Sequence, residues 1–109
     1  MNWIPLTTET QLTEIKETSV TRPVVIFKHS TRCSISAVAK SRLERAAAPD
    51  TISFYYLDLI KFRDISNRIA ADYNIPHESP QVLLIRNGEC VYDESHSGIT
   101  MDDLVTKSN

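Results

Sequence analysis

The chain alternates between short, continuous apolar runs and longer segments in which apolar residues recur at helical spacing. Three runs are rich in β-branched and aromatic residues, at positions 24–27, 52–59 and 82–85, and such runs are typical of strands buried inside a sheet. The periodic segments place helices around residues 12–15, from after residue 31 to residue 47, from 62 to 73, and around 104–105. The pattern therefore predicts that helices and strands alternate along the chain.

Turn and capping residues refine the ends of these elements. Asn87 and Gly88 follow the third run and form the strongest short hairpin signal, so the residues after them should return as an antiparallel strand. Asn74 is suited to a left-handed cap after the third helix. Thr8 and Thr100 each begin a capping-box sequence, which predicts the starts of the first and the last helix.

The predicted elements follow the order α-β-α-β-α-β-β-α, with the second hairpin strand at residues 89–92. Strands separated by helices favour parallel crossovers, whereas the hairpin adds antiparallel pairing. The chain holds only two glycines and no low-complexity stretch, so no linker divides it. We expect one domain over residues 1–109 with an α/β fold, in which a central four-stranded mixed sheet is flanked by helices on both faces.

Composition narrows the expected partners and compartment. Apolar residues make up 41% of the chain, and the net charge of −2 gives no basic field, so no nucleic-acid partner is expected. No run approaches the roughly 18 apolar residues of a spanning helix. The first 12 residues lack an export pattern, so we expect no membrane partner and a cytoplasmic location. The three histidines show no zinc spacing with either cysteine, so no metal site is expected.

Cys33 carries the clearest chemical signal. It follows a buried strand and opens a helix, where free backbone N–H groups and the helix dipole favour an anion. Most free cysteines are small buried residues, but the polar surroundings here favour a reactive thiolate that attacks disulfide sulfur. The neighbours predicted to contact the thiolate or its substrate are Ser30, Thr31, Arg32, Ser34 and Ser36.

Ser36 stands three residues after Cys33, where a dithiol oxidoreductase carries its second cysteine. A serine cannot attack a mixed disulfide, so Cys33 should work as a monothiol that another thiol releases. Cys90, just beyond the hairpin turn, is the resolving candidate within the chain, although a half-buried strand residue is the favoured interpretation. A resolving role would need its Cα within about 7 Å of that of Cys33.

Two further features flank this chemistry. His29 lies four residues before Cys33 and could stabilise its thiolate, although a satisfied histidine at a strand end is the favoured interpretation. Ser79 and Pro80 directly precede the third central strand, and Ser-Pro by itself signals only a loop. Placed beside the cysteine with a cis peptide bond, this pair would present the Ser79 backbone to an extended substrate, as in strand addition.

These residues together resemble the thioredoxin superfamily across nearly the whole chain. The resemblance is carried by Cys33-x-x-Ser36 between a strand and a helix, and by Ala71-x-Tyr73-x-Ile75, Ser79-Pro80, Leu83-Leu84-Ile85, Asn87-Gly88-Glu89 and Ser97-Gly98. More narrowly, the stretch from Lys28 to Ser36 is similar to the monothiol bacilliredoxins, whose site has the sequence Cys-Pro-Ile-Ser. The resemblance implies a thioredoxin-like fold and a monothiol thiol-disulfide oxidoreductase.

By this resemblance, Cys33 would take bacillithiol or another low-molecular-weight thiol from a protein mixed disulfide onto its own sulfur. The implied partners are S-thiolated client proteins and the small thiol, which is a co-substrate, and no cofactor is implied. Three residues depart from the family patterns. Ser34 replaces the proline of the bacilliredoxin site, Phe27 stands where thioredoxins keep a buried acid, and Arg32 replaces their usual tryptophan.

Two alternatives remain open from the sequence. One is a disulfide exchanger that uses Cys33 and Cys90 as an intramolecular pair. The other is a thioredoxin-fold binding module whose cysteine has no catalytic role. Replacing Cys33 with serine separates the second from the redox functions, because only a binding module would keep its partner without the thiol.

Overall fold

The computed structural model describes residues 1–109 as a sheet of five strands with four α-helices. The strands are β1 Trp3–Pro5, β2 Val24–His29, β3 Ser53–Asp58, β4 Gln81–Arg86 and β5 Glu89–Ser95. The helices are α1 Thr10–Thr18, α2 Ser34–Arg45, α3 Arg63–Tyr73 and α4 Met101–Ser108, and a 3₁₀ turn spans His96–Gly98. The predicted order of elements is confirmed, with one strand added before it.

The sheet has the strand order β1-β3-β2-β4-β5 and is mixed, as predicted. β1, β3 and β2 run parallel, whereas β4 and β5 are antiparallel. The prediction of four strands is wrong by one, because β1 has only three residues and ends in Pro5, too few to show a period. Trp3 holds β1 in place by pairing with Phe54 and by stacking on Phe27, with ring centroids 5.5 Å apart.

Helices cover both faces of the sheet, which confirms that prediction. One buried cluster of 11 residues joins the sheet to α1 and α3 through side chains such as Ile15 and Ile69. A second cluster of 11 residues joins the opposite face to α2 and α4 through Leu43 and Leu104. The central strand β2 lies between them, and all six of its residues are buried. No helix is both long and apolar enough to cross a membrane.

Four of the predicted turn and cap residues have the expected geometry. Asn74 ends α3 in the left-handed region, with φ 55°. Asn87 and Gly88 form the hairpin turn with φ values of 53° and 76°, which matches the twist of the flanking strands. The Thr100 hydroxyl accepts from the Asp103 N–H at 3.2 Å and caps α4.

The predicted cap at Thr8 is wrong. α1 begins at Thr10, and no side chain caps its first N–H groups. Instead, the carboxamide oxygen of Gln11 accepts from the N–H groups of Thr7 at 2.8 Å and of Thr8 at 3.1 Å. Only one half of the capping box forms, because the chain turns into the helix later than the motif predicts.

The predicted site residues lie together at one end of the sheet. The parallel strands β2 and β3 both end there, and the antiparallel strand β4 begins there with Gln81 opposite Lys28. The segment that follows β2 carries Cys33, and the segment that precedes β4 carries Ser79 and Pro80. The fold therefore places these two segments side by side.

Candidate active site

Cys33 occupies the N-cap position of α2, with φ −110° and ψ 120°. Its N–H donates to Ser30 O at 3.1 Å, and its carbonyl accepts from Ala37 N at 3.1 Å, so hydrogen bonds fix the turn on both sides of the residue. The first N–H groups of a helix have no partner within it, and with the helix dipole they favour an anion at this position. The thiol is free and partly exposed, as a nucleophile must be.

The residues predicted to contact substrate differ in their exposure. The exposed ones are Thr31, Arg32 and Ser34, and Ser30 is half-buried. All four lie in the turn or at the first helical position, where a group bound to the Cys33 sulfur can reach them. Ser36 is different, because its side chain has no exposed surface. The expected contact between Ser36 and substrate is therefore not present in the structure, since the third helical residue points back toward β2.

Ser36 links the start of α2 to the end of β2. Its Oγ accepts from the Ser30 N–H at 3.0 Å and lies 2.6 Å from His29 Nδ1. His29 therefore bonds Ser36 and not the Cys33 sulfur, which agrees with the interpretation of a satisfied histidine. No sequence signal identifies this pair, because the two residues meet only once the strand and the helix are both in place.

The His29 ring is buried in an aromatic setting. It stacks on Phe27 with ring centroids 5.7 Å apart, and Tyr56 lies at 5.5 Å. Burial lowers the pKa of His29, and the positive charge of Lys40 lowers it further. A neutral imidazole is therefore favoured at this position.

Ser79 and Pro80 extend β4 toward the turn that carries Cys33. Their peptide bond is cis, which is the geometry in which the pair could present the Ser79 backbone to an extended substrate. Gln81 pairs with Lys28, so the two residues before Gln81 continue along the end of β2. Pro80 is buried, and its carbonyl accepts from the His96 N–H at 3.0 Å, whereas Ser79 is half-buried.

Lys28 lies at the end of β2 near Cys33, and the sequence did not predict that its side chain is buried. The apolar run ends at residue 27, yet β2 continues and buries the Lys28 side chain completely. The ammonium donates to Ser66 O at 3.2 Å and lies 3.4 Å from His77 Nδ1, and burial lowers its pKa to about 8. The structure shows no group of three or more His, Cys, Asp and Glu side chains placed to hold a metal ion.

A small apolar groove lies beside the helix start that carries Cys33. Ile35 and Val38, on the first two turns of α2, are 55% and 54% exposed, which is unusual for large aliphatic side chains. Ala39, Arg42, His96 and Ser97 complete the lining of a space of about 130 Å³. The helical spacing in the sequence predicts the helix but not the exposure of Ile35 and Val38, which lie outside the buried face formed by Ala39 and Leu43.

Cys90 lies at the opposite end of the sheet. It pairs with Ile85, next to the hairpin turn, whereas the segment with Cys33 begins beyond the pairing of Lys28 with Gln81. Ile85 lies four residue steps after Gln81, which is about 13 Å along β4. This distance exceeds the Cα–Cα limit of about 7 Å for a disulfide, so the folded chain does not bring Cys90 to Cys33.

Known proteins are similar to this chain in sequence and in fold. A family model described as monothiol bacilliredoxin BrxC matches residues 4–104. A solved structure proposed to be an oxidoreductase with a thioredoxin fold is 32% identical, with a TM-score of 0.82 over 98% of this chain and 94% of that chain. Thioredoxin from Malassezia sympodialis is 17% identical, with a TM-score of 0.72 over 97% of this chain and 86% of its own. Thioredoxin from Trypanosoma brucei brucei is 16% identical, with a TM-score of 0.73 over 97% and 87%.

Proposed function

Because this chain belongs to the monothiol bacilliredoxin family, we propose that Cys33 removes a low-molecular-weight thiol, such as bacillithiol, from mixed disulfides on client proteins. The chain is a thiol oxidoreductase with a thioredoxin fold, as the family and its 32% identical structural relative indicate. One observation carries the proposal: a free, partly exposed cysteine stands at the N-cap position of α2, and a serine stands where a dithiol enzyme has its second cysteine.

The proposed reaction consists of two exchanges at sulfur. The Cys33 thiolate attacks the sulfur of the small thiol, an S–S bond forms between them, and the bond to the client breaks. The client cysteine leaves as a thiolate and takes up a proton, which restores its side chain. A second, external thiolate then attacks the small-thiol sulfur. The two small molecules leave as a disulfide, and Cys33 is released as a thiolate.

The need for an external thiol is supported by the positions of the other polar and sulfur groups. Ser36 has no thiol and is buried, and Cys90 lies at the far end of the sheet. An intramolecular exchanger that uses both cysteines is disfavoured for the same reason. The proposed setting is the reducing cytoplasm, where dissolved thiols are available, and the reaction uses no cofactor beyond them.

A protein as the substrate is supported by the surface around Cys33. Ile35 and Val38 offer apolar area beside the thiol, and such area is typical of protein contacts. Arg32 and Thr31 are exposed next to it and can contact the polar groups of the small thiol. The half-buried Ser79 lies along the adjoining segment, where an extended client chain would pass.

The test is transfer of the small-thiol adduct, followed by mass spectrometry. Reduced protein is incubated with a client that carries a bacillithiol mixed disulfide, and in parallel with the same client carrying glutathione. We expect the adduct mass to move from the client to the peptide that contains Cys33, faster with one thiol than with the other. The Cys90→Ser variant is the matched control and should accept the adduct equally well. If no adduct reaches Cys33 with either thiol, the proposal fails and a binding module becomes the better account.

A further inference from the structure

Ser79 lies in the segment from Pro76 to Pro80 and is the one residue of that segment without a hydrogen bond. Its backbone N–H and C=O have no partner within the chain, and its buried Oγ has none either. The Pro80 carbonyl, by contrast, accepts from the His96 N–H at 3.0 Å. No bond of Ser79 fixes its position, so the residues around it must do so.

The Gln81 side chain bonds the backbone of this segment on both sides of His77. Its Nε2 donates to Pro76 O at 3.1 Å, and its Oε1 accepts from the Glu78 N–H at 3.4 Å. A carboxamide carries a donor and an acceptor as a peptide group does, so it can pair with a backbone in the way a neighbouring strand does. Only 1% of Gln81 is exposed, so water has little access to replace these partners.

A second tie holds the ring of His77. Its Nδ1 lies 3.4 Å from Lys28 Nζ and 3.2 Å from Ser66 Oγ. Lys28 and Ser66 are both buried, on β2 and α3, so this ring is held against the body of the fold. Together with Gln81, these contacts fix the three residues that precede Ser79.

The same segment lies beside the turn that carries Cys33. Gln81 pairs with Lys28 in the antiparallel register of β4 and β2. Continuing that register by two residues brings Ser79 toward Ser30, whose carbonyl accepts from the Cys33 N–H at 3.1 Å. Ser79 and Cys33 are both partly exposed, so they border the same stretch of surface.

We propose that Gln81 is a positioning residue that holds the Ser79 N–H and C=O in place to pair with the backbone of an extended client chain at Cys33. The inference rests on the proposed function, in which the disulfide of a client protein reaches that thiol. Backbone pairing of this kind adds a bound chain to the edge of a folded one. A pre-ordered edge loses less conformational entropy on binding than a loose loop, so the bonds of Gln81 should strengthen client contact without changing the thiol.

Two glutamines allow a matched pair of variants. Gln81→Met removes both bonds and keeps an unbranched side chain of similar size in the buried position. Gln11→Met is the control, because the Gln11 carboxamide also bonds backbone, donating to Pro5 O at 2.8 Å and accepting from two N–H groups of the next loop. Gln11 follows β1, which two strands separate from β4. Both variants lose bonds of the same kind, but only Gln81→Met loses them next to Ser79.

The probe is a short extended peptide with one cysteine, activated as its pyridyl disulfide. The Cys33 thiolate attacks the peptide sulfur, an S–S bond to the peptide forms and pyridinethione leaves, so absorbance follows the rate. A second peptide is N-methylated at the residues beside its cysteine, which removes backbone donors. Dipyridyl disulfide has no peptide backbone and reports the reactivity of Cys33 itself. All chains carry Cys90→Ser, so that Cys33 is the one thiol that reacts.

With the unmodified peptide, Gln81→Met should react about tenfold more slowly than the parent chain, which corresponds to the loss of about one backbone hydrogen bond. Gln11→Met should match the parent chain. N-methylation of the peptide should slow the parent chain about tenfold and should not slow Gln81→Met further, because the two changes remove the same pairing. Dipyridyl disulfide should react alike with all three chains.

Any of four results would overturn the proposal. Gln81→Met could react with the peptide as fast as the parent chain, Gln11→Met could lose as much, dipyridyl disulfide could slow equally, or N-methylation could leave the parent rate unchanged. The last comparison needs no variant of Gln81, so it remains a test even if Gln81→Met does not fold. The peptide reaction involves no small-thiol adduct. Client de-thiolation can therefore fail while the peptide rates hold, and the reverse result would leave the proposed function standing.

Discussion

The two ends of the sheet place their cysteines in opposite environments. Cys33 is partly exposed at the N-terminus of α2, beside the first backbone N–H groups of the helix, which have no partner within it. Cys90 packs against the apolar cluster beneath α1 and α3, and its thiol donates to Tyr92 O at 3.4 Å. Burial raises the pKa of the Cys90 thiol to about 11. Two residues of the same type thus differ in backbone position and burial, which are the properties that control the reactivity of a thiol.

The two ends of β2 also differ in the polarity of their buried residues. The half nearer the hairpin turn is wholly apolar, from Val24 to Phe27, whereas Lys28 and His29 at the other end are equally buried. Burying polar groups without full compensation costs stability, and each of these two has a partner that lowers this cost. The end of β2 that leads to Cys33 thus buries polar groups at a cost in stability, whereas the other end is wholly apolar.

Replacing each cysteine in turn gives the largest expected effect. We expect Cys33→Ser to lower the rate of de-thiolation at least about a thousandfold, because a serine hydroxyl is not ionised at neutral pH. The melting temperature should stay within about 3 °C, since the side chain is not part of the core. Cys90→Ser should keep the wild-type rate. Equal losses from both variants would show that Cys90 takes part after all.

Alkylation of the unmodified chain measures the difference between the two thiols directly, and the expected effect is smaller. A thiol with a pKa of about 11 holds little thiolate at pH 7, so Cys90 should react on the order of a hundredfold more slowly than an ordinary exposed thiol. Its rate should rise with pH up to about 11 while the chain stays folded. Peptide masses follow both cysteines in one sample, and in denaturant the two should react alike. Similar rates for Cys33 and Cys90 in the folded chain would contradict the comparison.

Lys28→Met tests how much stability is lost by burying the polar end of β2. Its expected effect is the smallest of those predicted here. Replacing the buried ammonium with an apolar side chain should stabilise the chain at pH 7 by about 1 kcal/mol, measured by urea unfolding. Lys61→Met, at an exposed position near the same end, is the matched control and should change little. A loss of stability in Lys28→Met would show that the bonds to Ser66 and His77 outweigh the cost of burial.

The pH dependence of the same variant has a definite sign. The pKa of Lys28 is about 8 in the folded chain, against about 10.4 in an unfolded one. Between these values the unfolded chain binds a proton that the folded chain has lost, so the stability contributed by Lys28 rises with pH across this window. Below pH 8 the penalty of the charged form is constant. Lys28→Met should remove the rise, and a rise of equal size in the variant would assign it to another group.

Local signals carried most of what could be predicted. The left-handed cap at Asn74 and the turn at Asn87 and Gly88 depend on the conformational preferences of those residues, so a short stretch of sequence was enough to predict them. The apolar runs likewise predicted the three central strands. The position of Cys33 followed from the strand before it and the helix after it.

The features that could not be predicted depend on contacts between distant segments. β1 forms because Trp3 stacks on Phe27 and pairs with Phe54, and both residues are far from it in sequence. The strand β2 continues beyond its apolar run because Lys28 and His29 form hydrogen bonds with residues of neighbouring helices. Neither polar side chain would be expected inside a core from its type alone.

Because a buried serine stands at position 36 in place of a second cysteine, it affects how long an adduct would stay on Cys33. An attacking group on the same chain acts at an effective concentration that the surroundings do not change, often in the millimolar range. An adduct on Cys33 has no such attacker, so its lifetime is inversely proportional to the concentration of dissolved thiol. The fraction of loaded protein therefore follows the ratio of mixed disulfides to free thiol in the solution around it.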